Sequence, residues 1–197
     1  MADILVLYYS RHGSVKKLAY QVARGIESVP HCNAVLRTVP PISTVCEASA
    51  PEIPEEGDPY VSIDDFKQCD GLAMGSPTRF GNMAAPLKYF IDQTAPIWLS
   101  GEMVNKPAGV FTSTSSMHGG QESTLLSMML PLIHHGMILL GIPFAGTPIN
   151  ATITGGTPYG ASHVAGSDNC NEFSQDEQKV ARILGERIAN CASKMNT

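Results

Sequence analysis

The stretch Asp3-Ile4-Leu5-Val6-Leu7-Tyr8-Tyr9-Ser10-Arg11-His12-Gly13-Ser14-Val15, continuing to Gly25, decides the fold. The apolar run from Ile4 to Tyr9 is too short for an ordinary helix and rich in strand formers, so it reads as a buried parallel strand. Beyond the polar stretch Ser10 to Ser14, the residues Val15, Leu18, Ala19, Val22, Ala23 and Ile26 recur at helical spacing. Strand, tight polar loop and amphipathic helix therefore follow one another directly. Gly13 lets the loop turn sharply, because glycine takes backbone shapes that a side chain forbids. The amides of the loop and of the first helical turn converge on one spot, and the hydroxyls of Ser10 and Ser14 add neutral donors. Such a nest at a helix N-terminus suits an anion. Ser10, Arg11, His12, Gly13, Ser14 and Val15 thus fit a phosphate. Taken alone, the loop fits equally well a polar strand-to-helix turn capped by Ser14.

The loop lacks the lysine and spacing of a nucleotide-triphosphate loop and the three glycines of a dinucleotide fingerprint. Hydroxyl-rich and placed after the first strand, it resembles the flavodoxin-like phosphate loop, in a fold that binds at the carboxyl ends of its strands.

Composition narrows the class. A chain of 197 residues, 43% hydrophobic and 16% charged, is globular and fits one domain over residues 1–197. A net charge of -5 without a basic stripe excludes a nucleic-acid binder. No apolar run reaches membrane-spanning length, so no membrane insertion is expected, and the first residues show no secretory pattern. Cys32, Cys46, Cys69, Cys170 and Cys191 are scattered and odd in number, which fits free thiols in a reducing cytoplasm. No metal site is expected, since adjacent His134 and His135 point about 100° apart on a helix.

Further along, Ala34 to Val39 reads as a second strand, and residues 40–60 as an exposed excursion rich in Pro, Ser and Glu. Ser62 to Gln68 is helical, Asp70 to Gly75 a third strand, and Leu87, Phe90, Ile91 and Thr94 mark another helix. Pro107 to Ser113 is a fourth strand, Gln121 to His135 a helix, and Gly136 to Gly141 the start of a fifth strand. Residues 147–173 look like a long ordered loop. Ser174-Gln175-Asp176-Glu177 is a capping box that starts a last helix. Alternation of strand and helix predicts a doubly wound α/β fold, a five-stranded parallel sheet in the flavodoxin-like order 2-1-3-4-5.

In that fold the loops after strands one, three and four meet at one edge. Here they are Ser10–Val15, Ser76–Met83 and Ser113–Gly120. Pro77, Phe80 and Met83 offer an apolar contact for a flat heterocycle, and the amides from Thr78 through Arg79, Phe80, Gly81 and Asn82 can address its polar edge. A helix entry with Pro and Asn as turn residues accounts for the same string except Arg79 and Phe80. Trp98 alone reads as core or interface, and His134 as a helix-closing cation.

Six strings carry a more specific likeness: Leu5 to Ser10, Pro77 to Met83, Asp92 to Thr94, His118 to Glu122, His134 to Met137 and Gly155 to Ala161. Together they resemble the WrbA family of flavodoxin-like NAD(P)H:quinone oxidoreductases. The resemblance implies FMN as cofactor, NADH or NADPH as electron donor, a quinone as substrate and a homotetramer. It places the phosphate on Ser10 to Val15, and the flavin ring on Thr78 to Phe80 and on Ser113, Thr114, Ser115, Ser116 and Gly119. It places His134 beside the flavin as the catalytic proton donor, Trp98 on the substrate side, and His12 where the family often carries Tyr beside the nicotinamide. The implied reaction is a two-electron ping-pong reduction of quinone. A flavodoxin-type one-electron carrier with the same FMN is the alternative, and such carriers tend to be more acidic.

Overall fold

The computed structural model describes residues 1–42 and 57–195. Six strands alternate with six helices. These are β1 (Ala2–Tyr8), α1 (Ser14–Glu27), β2 (Cys32–Thr38), α2 (Ile63–Gln68), β3 (Gly71–Pro77), α3 (Ala85–Asp92), α4 (Ala95–Ser100), β4 (Pro107–Thr114), α5 (Gln121–His134), β5 (Ile138–Leu139), β6 (Ala161–Val164) and α6 (Gln175–Met195). The excursion expected over residues 40–60 falls mostly outside the described residues. Tyr60, its last residue, bridges to Thr38 at the end of β2.

The sheet is parallel and runs β2-β1-β3-β4-β5, the expected order. β1 shows why. Its side chains alternate between two buried faces. Ile4, Val6 and Tyr8 pack with Leu18, Val22 and Ile26 of α1 and with Val180, Leu184 and Ile188 of α6. Leu5 and Leu7 pack on the other side with Phe66 of α2, Leu87 and Phe90 of α3, and Leu125 and Met128 of α5. A strand dry on both faces has no polar side, which is why β1 reads as an unbroken apolar run.

The fifth strand departs from the expectation. It is two pieces: β5 pairs only with Pro107 and Ala108 of β4, while β6 pairs with Phe111 to Thr114 further up the same strand. Between them the chain leaves the sheet and carries a 3-10 turn at Pro148–Asn150. The stretch 147–173 therefore contains a strand as well as loop. β6 escapes a hydrophobic pattern because two of its four residues are polar. Ser162 and His163 are nonetheless each 1% exposed.

Those polar side chains are paired inside. The capping box forms as expected: Ser174 Oγ accepts from the Glu177 amide at 3.1 Å, and the Ser174 amide donates to Glu177 Oε2 at 2.9 Å. The same carboxylate also accepts from the amides of Gly155 at 3.0 Å and Val164 at 3.1 Å and lies 3.1 Å from His163 Nδ1. Burial pushes the Glu177 carboxyl up. The hydrogen bond from His163, the Ser174 and Val164 amides and the histidine's charge outweigh it and hold the group below the usual value.

α1 and α6 cross at Gly25 and Gly185. A side-chain carbon on Gly185 would strike the Val22 carbonyl, and one on Gly25 the Arg182 carbonyl. The two helices can lie this close only because both positions lack a side chain. Gly185→Ala is expected to lower stability by about 1–3 kcal/mol, the usual range for overpacking. Denaturant unfolding of the variant, with an unchanged m-value, checks this.

Candidate functional site

β1, β3 and β4 end at one edge of the sheet, and the loops leaving them line one cleft of about 300 Å³. Ser10, Arg11, His12, Ser14 and Val15 come from the first loop, Pro77, Thr78 and Arg79 from the second, and Ser113, Thr114 and Ser115 from the third. The juxtaposition expected from topology is present. Three cationic or basic side chains, Arg11, His12 and Arg79, are in the lining, and among the described residues no carboxylate is. The local field therefore favours an anion despite the acidic chain.

The first loop decides between its two readings. Gly13 occupies the position before α1 with φ 88, a left-handed backbone, and no side chain caps the helix. Ser14 is the first helical residue, so the turn capped by its hydroxyl does not form. A Cβ on Gly13 would meet nothing within 4 Å. Backbone shape alone, rather than space, calls for glycine there. Ser10 Oγ is buried and has no hydrogen-bond partner among the described residues. A polar atom left so costs about 1–3 kcal/mol, and a ligand oxygen would relieve it. An orphaned hydroxyl beside uncapped helix amides is the donor set a phosphate needs.

The second loop is fastened from below. Ser76, fully buried, accepts from the Ala84 amide at 2.8 Å and donates to the Pro77 carbonyl at 2.9 Å. Thr112 Oγ1 donates to the Ser76 carbonyl at 2.7 Å, and Thr78 Oγ1 lies 2.6 Å from the buried Thr124 hydroxyl. Arg79 and Asn82 exchange backbone hydrogen bonds at 2.8 and 3.0 Å around Phe80 and Gly81, whose φ values are 52 and 74. Two left-handed central residues make a type I′ turn. A phenylalanine in that conformation is strained, and Phe80 stands fully in solvent at the tip. Phe80, Gly81 and Asn82 thus form the rim beyond the cleft. In the third loop the Ser116 carbonyl accepts from Thr114 Oγ1 and from the Gly119 amide, curling the chain back. Ser116 and Gly119 shape that loop without lining the cleft.

Two expected site residues lie elsewhere in the chain. α5 starts beside the cleft and runs away from it, so His134 at its far end is about 20 Å from its start. There the Asn105 amide donates to Gly136, and Ile138 to Lys106, just before β4 begins. Trp98, on α4, is near this opposite edge too: α4 is joined to it through Val104, which packs against Gly136. Within one chain, His134 and Trp98 do not reach the cleft. Both are exposed, as are Leu99, next to Trp98 on α4, and Leu130 and Ile133, near His134 on α5. Asn169 was missed by the sequence reading and lines the cleft. Its surroundings, Gly-Ser-Asp-Asn, read simply as turn.

A parallel sheet in this order, with a cleft at the carboxyl edge beside a hydroxyl-rich turn, defines a flavodoxin-like protein. Residues 3–163 match the NADPH-dependent FMN reductase family, and the chain belongs to that family. Two relatives named NAD(P)H dehydrogenase (quinone) are each 40% identical. The one from Solidesulfovibrio magneticus aligns over 98% of both chains. The one from Geobacter sulfurreducens aligns over 98% of this chain and 99% of its own. Among solved structures, a flavodoxin, WrbA-like protein from Agrobacterium tumefaciens superposes with a TM-score of 0.67 at 23% identity, covering 98% of this chain and 99% of that one. A flavodoxin from the domain Archaea gives a TM-score of 0.64 at 18% identity, over 97% and 99% of the two chains.

The far edge carries its own pH dependence. His135, 6% exposed, bonds Thr94 Oγ1 through Nε2 at 2.8 Å and sets its ring edge-on to Phe66. Burial, and then the charge of His134, pull its pKa below the ordinary 6.5. Below that ordinary value the unfolded chain binds the proton more readily, so stability falls as pH drops through this window. His135→Gln should flatten the change in melting temperature between pH about 7 and about 5.5, read by thermal melts across the range.

Proposed function

We propose that this protein is an FMN-dependent NAD(P)H:quinone oxidoreductase. The observation that carries the reading is the buried, unpartnered Ser10 hydroxyl beside the uncapped, left-handed entry to α1. The names of the two 40% identical relatives support the quinone as acceptor. They favour it over the one-electron carrier, as does a net charge of only -5.

When bound, FMN supplies the two-electron carrier between nicotinamide and quinone. The chain's part is to hold, orient and protonate. Ser10 and Ser14 would hold the phosphate with the amides of Arg11 to Val15, and Arg11 adds positive charge. Thr78 to Asn82 would address the polar edge of the ring, and Pro77 would give it an apolar contact. The hydroxyls of Ser113 to Ser116 and the turn at Gly119 close the opposite wall. His12, exposed at the mouth, offers an aromatic surface to the nicotinamide. A flat quinone would stack on Trp98, an interaction worth about 0.5–1.5 kcal/mol beyond area burial. His134 would donate a proton to the oxygen of the developing hydroquinone.

Trp98 and His134 can take these roles only from a neighbouring copy. Exposed apolar side chains close to each in sequence, Leu99 on α4 and Leu130 and Ile133 on α5, support such an assembly. The assembly is a homotetramer with dihedral symmetry, which closes four identical chains. We place the enzyme in the cytoplasm, where its scattered thiols stay reduced. No helix among the described residues is long and apolar enough to cross a membrane.

NADH- or NADPH-dependent reduction of benzoquinone by the yellow, FMN-loaded protein tests the reading, and FMN binding without turnover would favour the carrier. Gly13→Val should abolish FMN binding, since valine does not adopt the left-handed turn. Ser10→Ala should weaken binding by about 1.5–3 kcal/mol, the range for a hydrogen bond to a charged group. Titration of apoprotein with FMN measures both.

Assembly has a separate test. Leu130→Glu should split the tetramer and lower quinone turnover far more than FMN affinity, read by light scattering beside steady-state kinetics. A wild-type monomer with full activity would defeat the assembly and the roles given to Trp98 and His134.

A further inference from the structure

Asn169 belongs to the segment between β6 and α6, outside the three loops from which the topology builds the cleft. It nevertheless lines that cleft. Its φ of 59 puts it in the left-handed region, which asparagine enters more readily than other side-chain-bearing residues. Its backbone amide donates to the Gly166 carbonyl at 3.2 Å. Its side-chain amide has no hydrogen-bond partner among the described residues.

The segment that presents it is held at both ends. The Ala165 amide donates to the Thr114 carbonyl at 2.7 Å, which ties the segment to the end of β4. Asn171 folds back on this base, donating from its amide to Ala165 at 3.0 Å and from Nδ2 to the Val164 carbonyl at 3.1 Å. At the other end the Phe173 ring stacks on His163, centroids 3.9 Å apart and 15° from parallel. His163 and Glu177 are each 1% exposed. Apolar residues of similar volume would anchor α6 to the sheet as firmly as a buried ionisable pair does. What a fully satisfied polar network adds is a unique arrangement. The arrangement fixed here is the course of residues 163–177, with the cleft-lining Asn169 at its middle.

We propose that Asn169 is a further contact residue for the cofactor, meeting its ribityl phosphate tail, and that the buried Glu177–His163 pair positions it. The inference rests on the FMN reading above. An amide both donates and accepts, and a neutral one suits the hydroxyls of a sugar alcohol and the oxygens of a phosphate alike. It adds a wall that the serines of the first and third loops leave open.

The test is titration of apoprotein with FMN and with riboflavin, followed by quenching of flavin fluorescence. Asn169→Ala should weaken FMN binding about tenfold, the loss of one good hydrogen bond. A matching loss for riboflavin puts the contact on the ribityl chain, and a loss confined to FMN puts it on the phosphate. Glu177→Gln, which keeps the shape and removes the charge, should weaken FMN binding several-fold. Combined with Asn169→Ala, it should weaken binding no further than Asn169→Ala does, because both remove the same contact. Losses that add in the double variant would overturn the positioning role. An Asn169→Ala protein with wild-type FMN affinity would overturn the contact. Asn171→Ala, an exposed change that frees the same segment, carries the expectation of Glu177→Gln should that variant lose its fold. Wild-type apoprotein that does not bind FMN would sink the underlying reading as well, so the two failures are distinguishable.

Discussion

The burial of β1 on both faces is the constraint from which the rest follows. A strand covered by α1 and α6 on one side and by α2, α3 and α5 on the other is dry on both faces, the setting in which helical crossovers and parallel strands go together. Its neighbours β2 and β3 are parallel, and each must be reached by a crossover. Parallel strands end at a common edge, so the chain is obliged to leave β1, β3 and β4 side by side. The polar residues that make the cleft are then those that the sequence places within a few positions of three apolar runs. Small residues dominate there because several backbones converge in little space, and the apolar strands beneath leave the loops no freedom to spread apart.

This dependence explains what was legible in the sequence. The apolar runs of β1, β3 and β4, the helical spacing of α1 and the capping box at Ser174 are local signals, and each forms as read. The meeting of the Ser10, Pro77 and Ser113 loops follows from topology, so it was legible once the strand order was. β6 was not, because burial there is achieved by pairing His163 with Glu177 rather than by apolar side chains. The place of Asn169 in the lining left no mark in composition either. Gly25 and Gly185 carry no partner signal in the sequence, and only the packed helices show them as the point of closest approach.

The two edges of the sheet are chemically distinct. The carboxyl edge gathers hydroxyls, amides and positive charge around a cleft. Toward the amino edge lie the end of α5 with His134, exposed Leu130 and Ile133, and α4 with exposed Trp98 and Leu99. The α5 helix spans the sheet between the two, its first turns holding Thr78 through Thr124 and its last carrying His134. On the proposed reading, a chain built this way separates cofactor-holding groups from acceptor-facing groups by the length of one helix. On the proposed reading only assembly reunites them, which makes catalytic competence a property of the oligomer while flavin capture belongs mostly to the protomer.

The divided fifth strand has its own consequence. β5 and β6 are each registered on β4 independently, one at Pro107 and Ala108, the other from Phe111 to Thr114. The chain that departs after Leu139 does not need to return at a set distance, because its return is fixed by the Glu177 carboxylate gripping the amides of Gly155 and Val164. Residues 143–153 therefore lie outside the register of the sheet, yet Ile149 in their 3-10 turn is buried in the core beside the α6 residues Val180 and Leu184. The edge of the sheet is thus held by two separate footholds on β4, and the chain between them is secured to the core rather than to a strand.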